Sequence, residues 1–211
     1  MQKLVLASQK GGVGKTTLAL HIAVAAEEAG AGPVVMVDVD PQGSLAYAWN
    51  LRKAERPAMA RTTVSQLEST LHDLEAVGFK LVVIDTPPAI TGTISSVLAL
   101  ADLVVVPTRP SPIDLASVGA TLDLLEGAGQ RPFYFVINAA KPNVRLTQQV
   151  MTALAQHGRV AATVCDRVDF PTAMIDGRTA GEIDPKGKAA HEIVELWKIL
   201  SARLAKPGGP K

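Results

Sequence analysis

The run Leu4-Val5-Leu6-Ala7-Ser8-Gln9-Lys10-Gly11-Gly12-Val13-Gly14-Lys15-Thr16-Thr17 decides the reading of this chain. Leu4–Ala7 is a short apolar run bounded by turn residues, which predicts a buried strand. Leu18, Ile22, Ala25, Ala26 and Ala29 then recur at helical spacing, with Gly30 as the stop, so a helix begins near Lys15. The glycines fall between strand and helix. Glycine permits the tight turn and lets backbone N–H groups approach an anion closely. The helix N-terminus adds partial positive charge. Such a link is built to hold phosphate: Lys15 would reach the β- and γ-phosphates of a nucleotide, and the Thr16 hydroxyl would bind Mg²⁺. A glycine-rich turn with unrelated lysines is the competing reading, and strand, loop and helix in the required order argue against it.

The rest of the 211-residue chain has the same rhythm. Val34–Val37, Leu81–Ile84, Leu103–Val106 and Phe133–Ile137 read as further buried strands, and Val160–Val164 as a weaker sixth. Helical stripes lie between them. Ser111-Pro112 starts one, with Ser111 as cap and Asp114 three residues later; Leu146, Val150 and Leu154 form another, closed by Gly158. Repeated β-α order implies an α/β fold, doubly wound, with a mostly parallel sheet and helices on both faces. Apolar residues make up 47% and aromatics only 4%, which suits aliphatic strands buried under helices. The expected organisation is one domain over 1–205 with a flexible tail at 206–211. Residues 52–63 are polar, carry Pro57 and read as a surface excursion.

Other classes are excluded early. With a net charge of +1, strong global attraction to nucleic acid is not expected, which leaves a local basic patch open. The single cysteine, Cys165, rules out an intramolecular disulfide and argues against a cysteine metal site; His21, His72, His157 and His191 have no ligand spacing. Neither a signal peptide nor a membrane span is legible, so the expected location is cytoplasmic.

Two acidic segments accompany the loop. Val34–Val37 runs into Asp38-Val39-Asp40-Pro41-Gln42-Gly43-Ser44, and Leu81–Ile84 into Asp85-Thr86-Pro87-Pro88. A carboxylate at the carboxyl end of a parallel strand points into the ligand crevice. An apolar strand ending in Asp is the pattern that holds Mg²⁺ beside a nucleotide. Asp38 alone would equally serve as a cap for the following turn.

The ordinary loop pattern G-x-x-x-x-G-K-[ST] needs glycine where Gln9 stands, and here Lys10 precedes the glycine pair. This resembles the deviant Walker A motif, K-G-G-x-G-K-[ST]-[ST], of the ParA/MinD group of P-loop ATPases, in the small form of the ParA-type partition ATPases. The D-x-D-P-Q and D-[TC]-P-P segments of that group match at Asp38–Gln42 and Asp85–Pro88, and the resemblance runs from Lys3 to about Leu200. It implies ATP hydrolysis with Mg²⁺. The nucleotide contacts would be Lys10, Gly11, Gly12, Val13, Gly14, Lys15, Thr16, Thr17 and Pro41. Lys10 would reach across a homodimer to the other subunit's nucleotide. Lys10, Lys15 and Asp40 would act catalytically, Asp40 by orienting the attacking water, and Thr16, Asp38 and Asp85 would serve the metal. Asn138, after Phe133–Ile137, would read the adenine edge, with Arg167 and Pro171 near the base. Asn138 also fits a plain turn, and Arg167 a surface ion pair.

Within the group, iron–sulfur reductases need paired cysteines, tyrosine kinases need a tyrosine-rich tail, and amide-forming relatives lack the two acidic segments. Two readings remain. A ParA-type ATPase would bind nucleoid DNA non-specifically as an ATP dimer, answer to a ParB-like adaptor and move a plasmid or other cargo. Lys141, Arg145, Arg178 and Lys186 are its candidate DNA contacts, within a wider set that includes Arg159, Arg167 and Lys188. With the loop at Lys10, no N-terminal helix-turn-helix domain is expected. Pro107-Thr108-Arg109-Pro110-Ser111-Pro112 resembles a segment near the dimer interface of the small form and also makes a stiff strand-to-helix connection. The alternative is a MinD-like ATPase that binds membrane reversibly through Ile193, Leu196, Trp197, Leu200 and Leu204. Such a stripe more commonly packs in a core, and the polar face is poor in lysine.

Overall fold

The computed structural model describes residues 1–88, 92–142 and 144–206; of the expected tail, residues 207–211 lie outside this set. Seven strands form one sheet: β1 (Gln2–Leu6), β2 (Val34–Asp38), β3 (Ala58–Arg61), β4 (Leu81–Asp85), β5 (Leu103–Thr108), β6 (Phe133–Ala140) and β7 (Arg159–Cys165). Their spatial order is β3-β2-β4-β1-β5-β6-β7, and each pairing is parallel. The main helices are α1 (Lys15–Glu28), α2 (Ser44–Asn50), α3 (Leu67–Ala76), α4 (Gly92–Ala99), α5 (Pro112–Ala116), α6 (Val118–Gly127), α7 (Arg145–Ala155), α8 (Asp169–Ala173), α9 (Ala180–Ile183) and α10 (Lys188–Leu204).

Successive side chains of a strand point to opposite faces, and the two cores divide accordingly. Leu4, Leu6, Met36, Val83 and Val105 lie in a core with α1 and α10, whereas Val5, Val35, Val37, Ile84 and Val106 join α3, α4, α6 and α7. Both faces being covered, the strands have no polar alternation to display.

The helix signals hold in detail. Gly30 adopts φ 78 just beyond α1, and Ser111 Oγ accepts the backbone N–H of Asp114 at 3.1 Å. Ala29 is exposed at the helix end, so the α1 stripe stops at Ala26. The reading of residues 52–63 as a surface excursion needs correction. Ala58–Arg61 pairs in register with Val35–Asp38 as an edge strand. A four-residue edge strand has only one partner, and Ala58-Met59-Ala60-Arg61 pairs without the β-branched run that marks the central strands.

The C-terminal stripe is spent internally. Ile193, Leu196, Trp197 and Leu200 are buried, with Leu204 packed beside them, and α10 lies against β7 and α1. Among the described residues no helix is long and apolar enough to cross a membrane.

Candidate functional site

The carboxyl ends of β1, β2 and β4 meet at one place because of register: Leu6 and Asp38 both pair with Asp85. The glycine loop leaves β1 there and enters α1 at Gly14, which takes φ 92. A β-carbon at Gly14 would lie 2.1 Å from Asn138 Nδ2, so glycine is required twice over. That amide donates to Val13 O at 2.7 Å and pins the loop to the end of β6.

Lys15 is buried and its ammonium donates to Ser8 O (3.3 Å) and Lys10 O (3.4 Å). Burial lowers its pKa, against the opposing pull of Asp85 and Asp40. Lys10 is half-exposed, and among the described residues no acceptor holds its ammonium. Gln9 fills the position of the missing glycine: its side chain donates to Ala120 O at 2.5 Å, and its N–H to the buried Thr121 Oγ1 at 3.4 Å. The Gln9 side chain thus adds an anchor to α6 that a glycine could not make.

The acidic residues form the other wall. Thr16 Oγ1 donates to Asp85 Oδ2 at 2.6 Å, while Asp85 Oδ1 is buried and, among the described residues, unpartnered. Burial, aided by neighbouring Asp38 and Asp40 and opposed by the bond from Thr16 and the charge of Lys15, pushes the Asp85 carboxyl up to about 7. Asp38 does cap the next helix, accepting from Leu45 N (2.9 Å) and Ala46 N (3.0 Å), and burial raises its pKa. Asp40 Oδ1 accepts from Gln42 N at 2.9 Å. Hard oxygen donors and an unpartnered carboxylate oxygen fit a divalent cation of the Mg²⁺ kind.

Beyond the start of α1 opens a cleft of about 420 Å³ whose lining includes Gly14, Thr17, Asn138, Arg167, Phe170 and Pro171. That volume suits a small organic ligand. Asn138, Arg167 and Pro171 are therefore brought together as expected. Arg167 also makes the foreseen ion pair, with Glu192 at 2.7 Å. Pro41 is exposed on the Asp40 turn and is not part of this cleft. Lys141, Arg145, Lys186 and Lys188 are exposed, but Arg178 is ion-paired with Asp176 at 2.8 Å. Arg159 stands apart from them at the amino end of β7, 5.2 Å over the Tyr134 ring.

His21, Phe170 and Arg109 were not singled out from sequence. Arg109 lines the cleft from the proline-rich run and lies near Gly12. His21 Nε2 accepts the Ala180 N–H at 3.0 Å, so Nδ1 carries the proton and donates to Thr17 O at 2.8 Å. Its ring meets Phe170 edge-on at 5.1 Å. The only sequence trace of this is the i, i+4 spacing of Thr17 and His21. Burial lowers the His21 pKa to about 4. Unfolding restores an ordinary value, so the unfolded chain binds the extra proton between pH 4 and 6.5. The neutral ring's contribution is complete above pH 6.5 and is lost as pH falls, by about 3 kcal/mol at pH 4. Denaturant unfolding should therefore show the stability gap between wild type and His21→Gln narrowing by that amount from pH 7 to pH 4. A pH-independent gap would refute the assignment.

Comparison with known proteins agrees with this geometry. Residues 4–180 match the CobQ/CobB/MinD/ParA nucleotide binding domain family, and the chain belongs to it. It is a P-loop ATPase of the ParA/MinD kind, with the seven-stranded parallel sheet of that fold. It is 27% identical over 207 residues to the maintenance of carboxysome distribution protein A of Halothiobacillus neapolitanus, covering 94% of each chain. It is 28% identical to the chromosome-partitioning ATPase Soj of Thermus thermophilus, covering 97% of each. The septum site-determining protein MinD of Pyrococcus horikoshii, solved with Mg-ADP, shares the fold with a TM-score of 0.78 at 17% identity, over 98% of this chain and 99% of that one.

Proposed function

We propose that this chain is a ParA-type positioning ATPase: it dimerises on ATP, binds nucleoid DNA without sequence preference, and releases it when a ParB-like adaptor on the cargo stimulates hydrolysis. The observation that carries this is the contrast between two lysines of one loop. Lys15 is buried and bonded within the loop, whereas Lys10 is half-exposed and its ammonium has no acceptor among the described residues. A lysine held at a phosphate site whose ammonium has no acceptor among the described residues suits the nucleotide of a second subunit.

The proposal assigns a role to each residue. Lys15 and the backbone N–H groups of Gly11–Thr16 hold the β- and γ-phosphates, and the base enters the cleft between Asn138 and Phe170. Thr16, Asp85 and Asp38 would hold Mg²⁺, which supplies charge neutralisation at the phosphates. Asp40 orients the attacking water, while Lys15 and the partner's equivalent of Lys10 offset charge developing on the transferred group. The buried α10 stripe favours DNA over membrane as the surface bound. Cytoplasmic, nucleoid-associated localisation and a single ATPase domain over 1–205 belong to the same reading. Carboxysome distribution and chromosome partitioning, named for the two relatives, are both cargo classes this machinery could serve.

Size-exclusion with light scattering tests the dimer. With ATP, Asp40→Ala should accumulate as a dimer, while Lys10→Ala should stay monomeric yet still bind nucleotide. An ATP-induced dimer of Lys10→Ala would reject the in-trans role. For DNA, Lys141→Glu with Arg145→Glu should abolish ATP-dependent retardation of random-sequence duplex at low salt. Unchanged retardation would move the DNA face elsewhere.

A further inference from the structure

Arg52 lies in the turn after α2, yet its side chain is only 1% exposed. Its guanidinium donates from Nη1 to Gly177 O (2.7 Å) and Glu182 Oε2 (2.9 Å), and from Nη2 to Glu182 Oε1 (2.7 Å). Glu182 in turn accepts from Thr179 N at 2.7 Å and closes a capping box on α9. Gly177 adopts φ 74, and a β-carbon there would fall 2.3 Å from Ala48 O in α2. The backbone of segment 177–182 is thus seated directly against the end of α2 and locked there by a two-pronged ion pair.

This segment has two further attachments. His21 takes its Ala180 N–H and ties it to Thr17 O on α1, and Met174 and Ile175, just before it, line the base-side cleft. At its other end, α2 gives Leu45 N and Ala46 N to Asp38. A helix of seven residues, about 10 Å long at 1.5 Å per residue, therefore spans from the cleft wall to the aspartates of the phosphate end.

We propose that Arg52 is a positioning residue that transmits occupancy of the base-side cleft through α2 to the Asp38–Asp40 segment. The inference rests on the assignment of that cleft to the nucleotide base. A base entering against Phe170 and Met174 braces segment 177–182. The Arg52 fork, with Gly177 against Ala48, carries that restraint into α2, which fixes Asp38 and the Asp40 turn. Lysine would keep the charge at position 52 but lacks the fork that grips both Glu182 oxygens and Gly177 O.

The experiment compares wild type with Arg52→Lys, by steady-state ATP hydrolysis and by amide hydrogen exchange with and without ADP. Arg52→Lys should fold with Glu182 still paired. Its kcat should fall roughly ten- to a hundredfold, the scale of a small misplacement of a catalytic group, with KM within about twofold of wild type. In wild type, ADP should slow exchange both at 170–176 and at 45–51; in Arg52→Lys only the first response should remain. A merely structural role would leave a folded variant with wild-type kcat and both responses, and that result overturns the proposal. Protection at 170–176 with none at 45–51 in wild type overturns it too. No protection at 170–176 in wild type instead removes the base-cleft assignment. Should Arg52→Lys fail to fold, Glu182→Gln, which keeps the side chain's size but replaces one of the two oxygens that accept from Arg52 with an amide donor, is read by the same two measurements.

Discussion

Asp85→Asn should melt at a higher temperature than wild type at pH 8 without nucleotide, and should no longer hydrolyse ATP. The carboxyl is 1% exposed, and burial pushes its pKa to about 7 from an ordinary 3.8. Between those values the folded state keeps a proton that the unfolded chain releases, so stability falls as pH rises through this window. Above pH 7 the cost is complete, at about 4 kcal/mol by one unit per 1.36 kcal/mol. An amide at this position bears no charge, and its oxygen still accepts from Thr16 Oγ1, the bond now at 2.6 Å. Recovering most of the cost should raise the midpoint by roughly 5–15 °C in a chain of this size. The gain should vanish toward pH 4, where the wild-type carboxyl is protonated as well. Wild type, unlike the variant, should recover this stability when Mg²⁺ and ATP bind, because a cation offsets the charge. Differential scanning calorimetry at pH 4 and pH 8 reads both halves. A variant that melts below wild type at pH 8 would show that the carboxylate is stabilised in some other way.

That result would express why this part of the site could be read from the sequence. The loop, Asp38 and Asp85 sit at strand ends marked by short, uninterrupted apolar runs, and parallel register alone brings Asp38 and Asp85 level. Local pattern and local function coincide there. The base side is different. Its cleft is assembled from the ends of β6 and β7, α8 and the first turn of α1, segments about 150 residues apart in the chain. Asn138, Arg167 and Pro171 were reached through family resemblance, whereas Phe170 and His21 needed the fold, because a buried histidine pairing with Ala180 leaves no spacing in the sequence. Strand β3 escaped for a simpler reason: at an edge, Ala58–Arg61 needs no β-branched run to pair with β2. In the sequence Arg52 is only the first residue of the polar segment 52–63, because it is the return of the chain at Gly177 and Glu182 that encloses it.

Gly14→Ala should destroy nucleotide binding, and the loss should have two separable causes. The first is backbone. At φ 92 an alanine costs about 1–2 kcal/mol, and relaxing it turns the N–H groups of the loop away from the phosphates. The second is contact, because the new methyl would lie 2.1 Å from Asn138 Nδ2 and 3.3 Å from its Cγ. Overpacking of this kind costs about 1–3 kcal/mol. Asn138 cannot simply swing aside, since its amide satisfies Val13 O at 2.7 Å. Asn138→Ala alone frees that carbonyl, at a cost of about 1–3 kcal/mol. In the double variant the methyl meets empty space, so the two losses should not add: the pair should be about 1–2 kcal/mol more stable than the sum of the singles predicts. Nucleotide affinity should remain at least about a hundredfold below wild type in the double variant, equivalent to roughly 3 kcal/mol, because the backbone demand is untouched. Denaturant unfolding gives the first quantity and fluorescent-nucleotide titration the second. Strict additivity would mean that Asn138 does not press on the loop, and recovery of affinity in the double variant would mean that the left-handed conformation at Gly14 is dispensable for gripping phosphate.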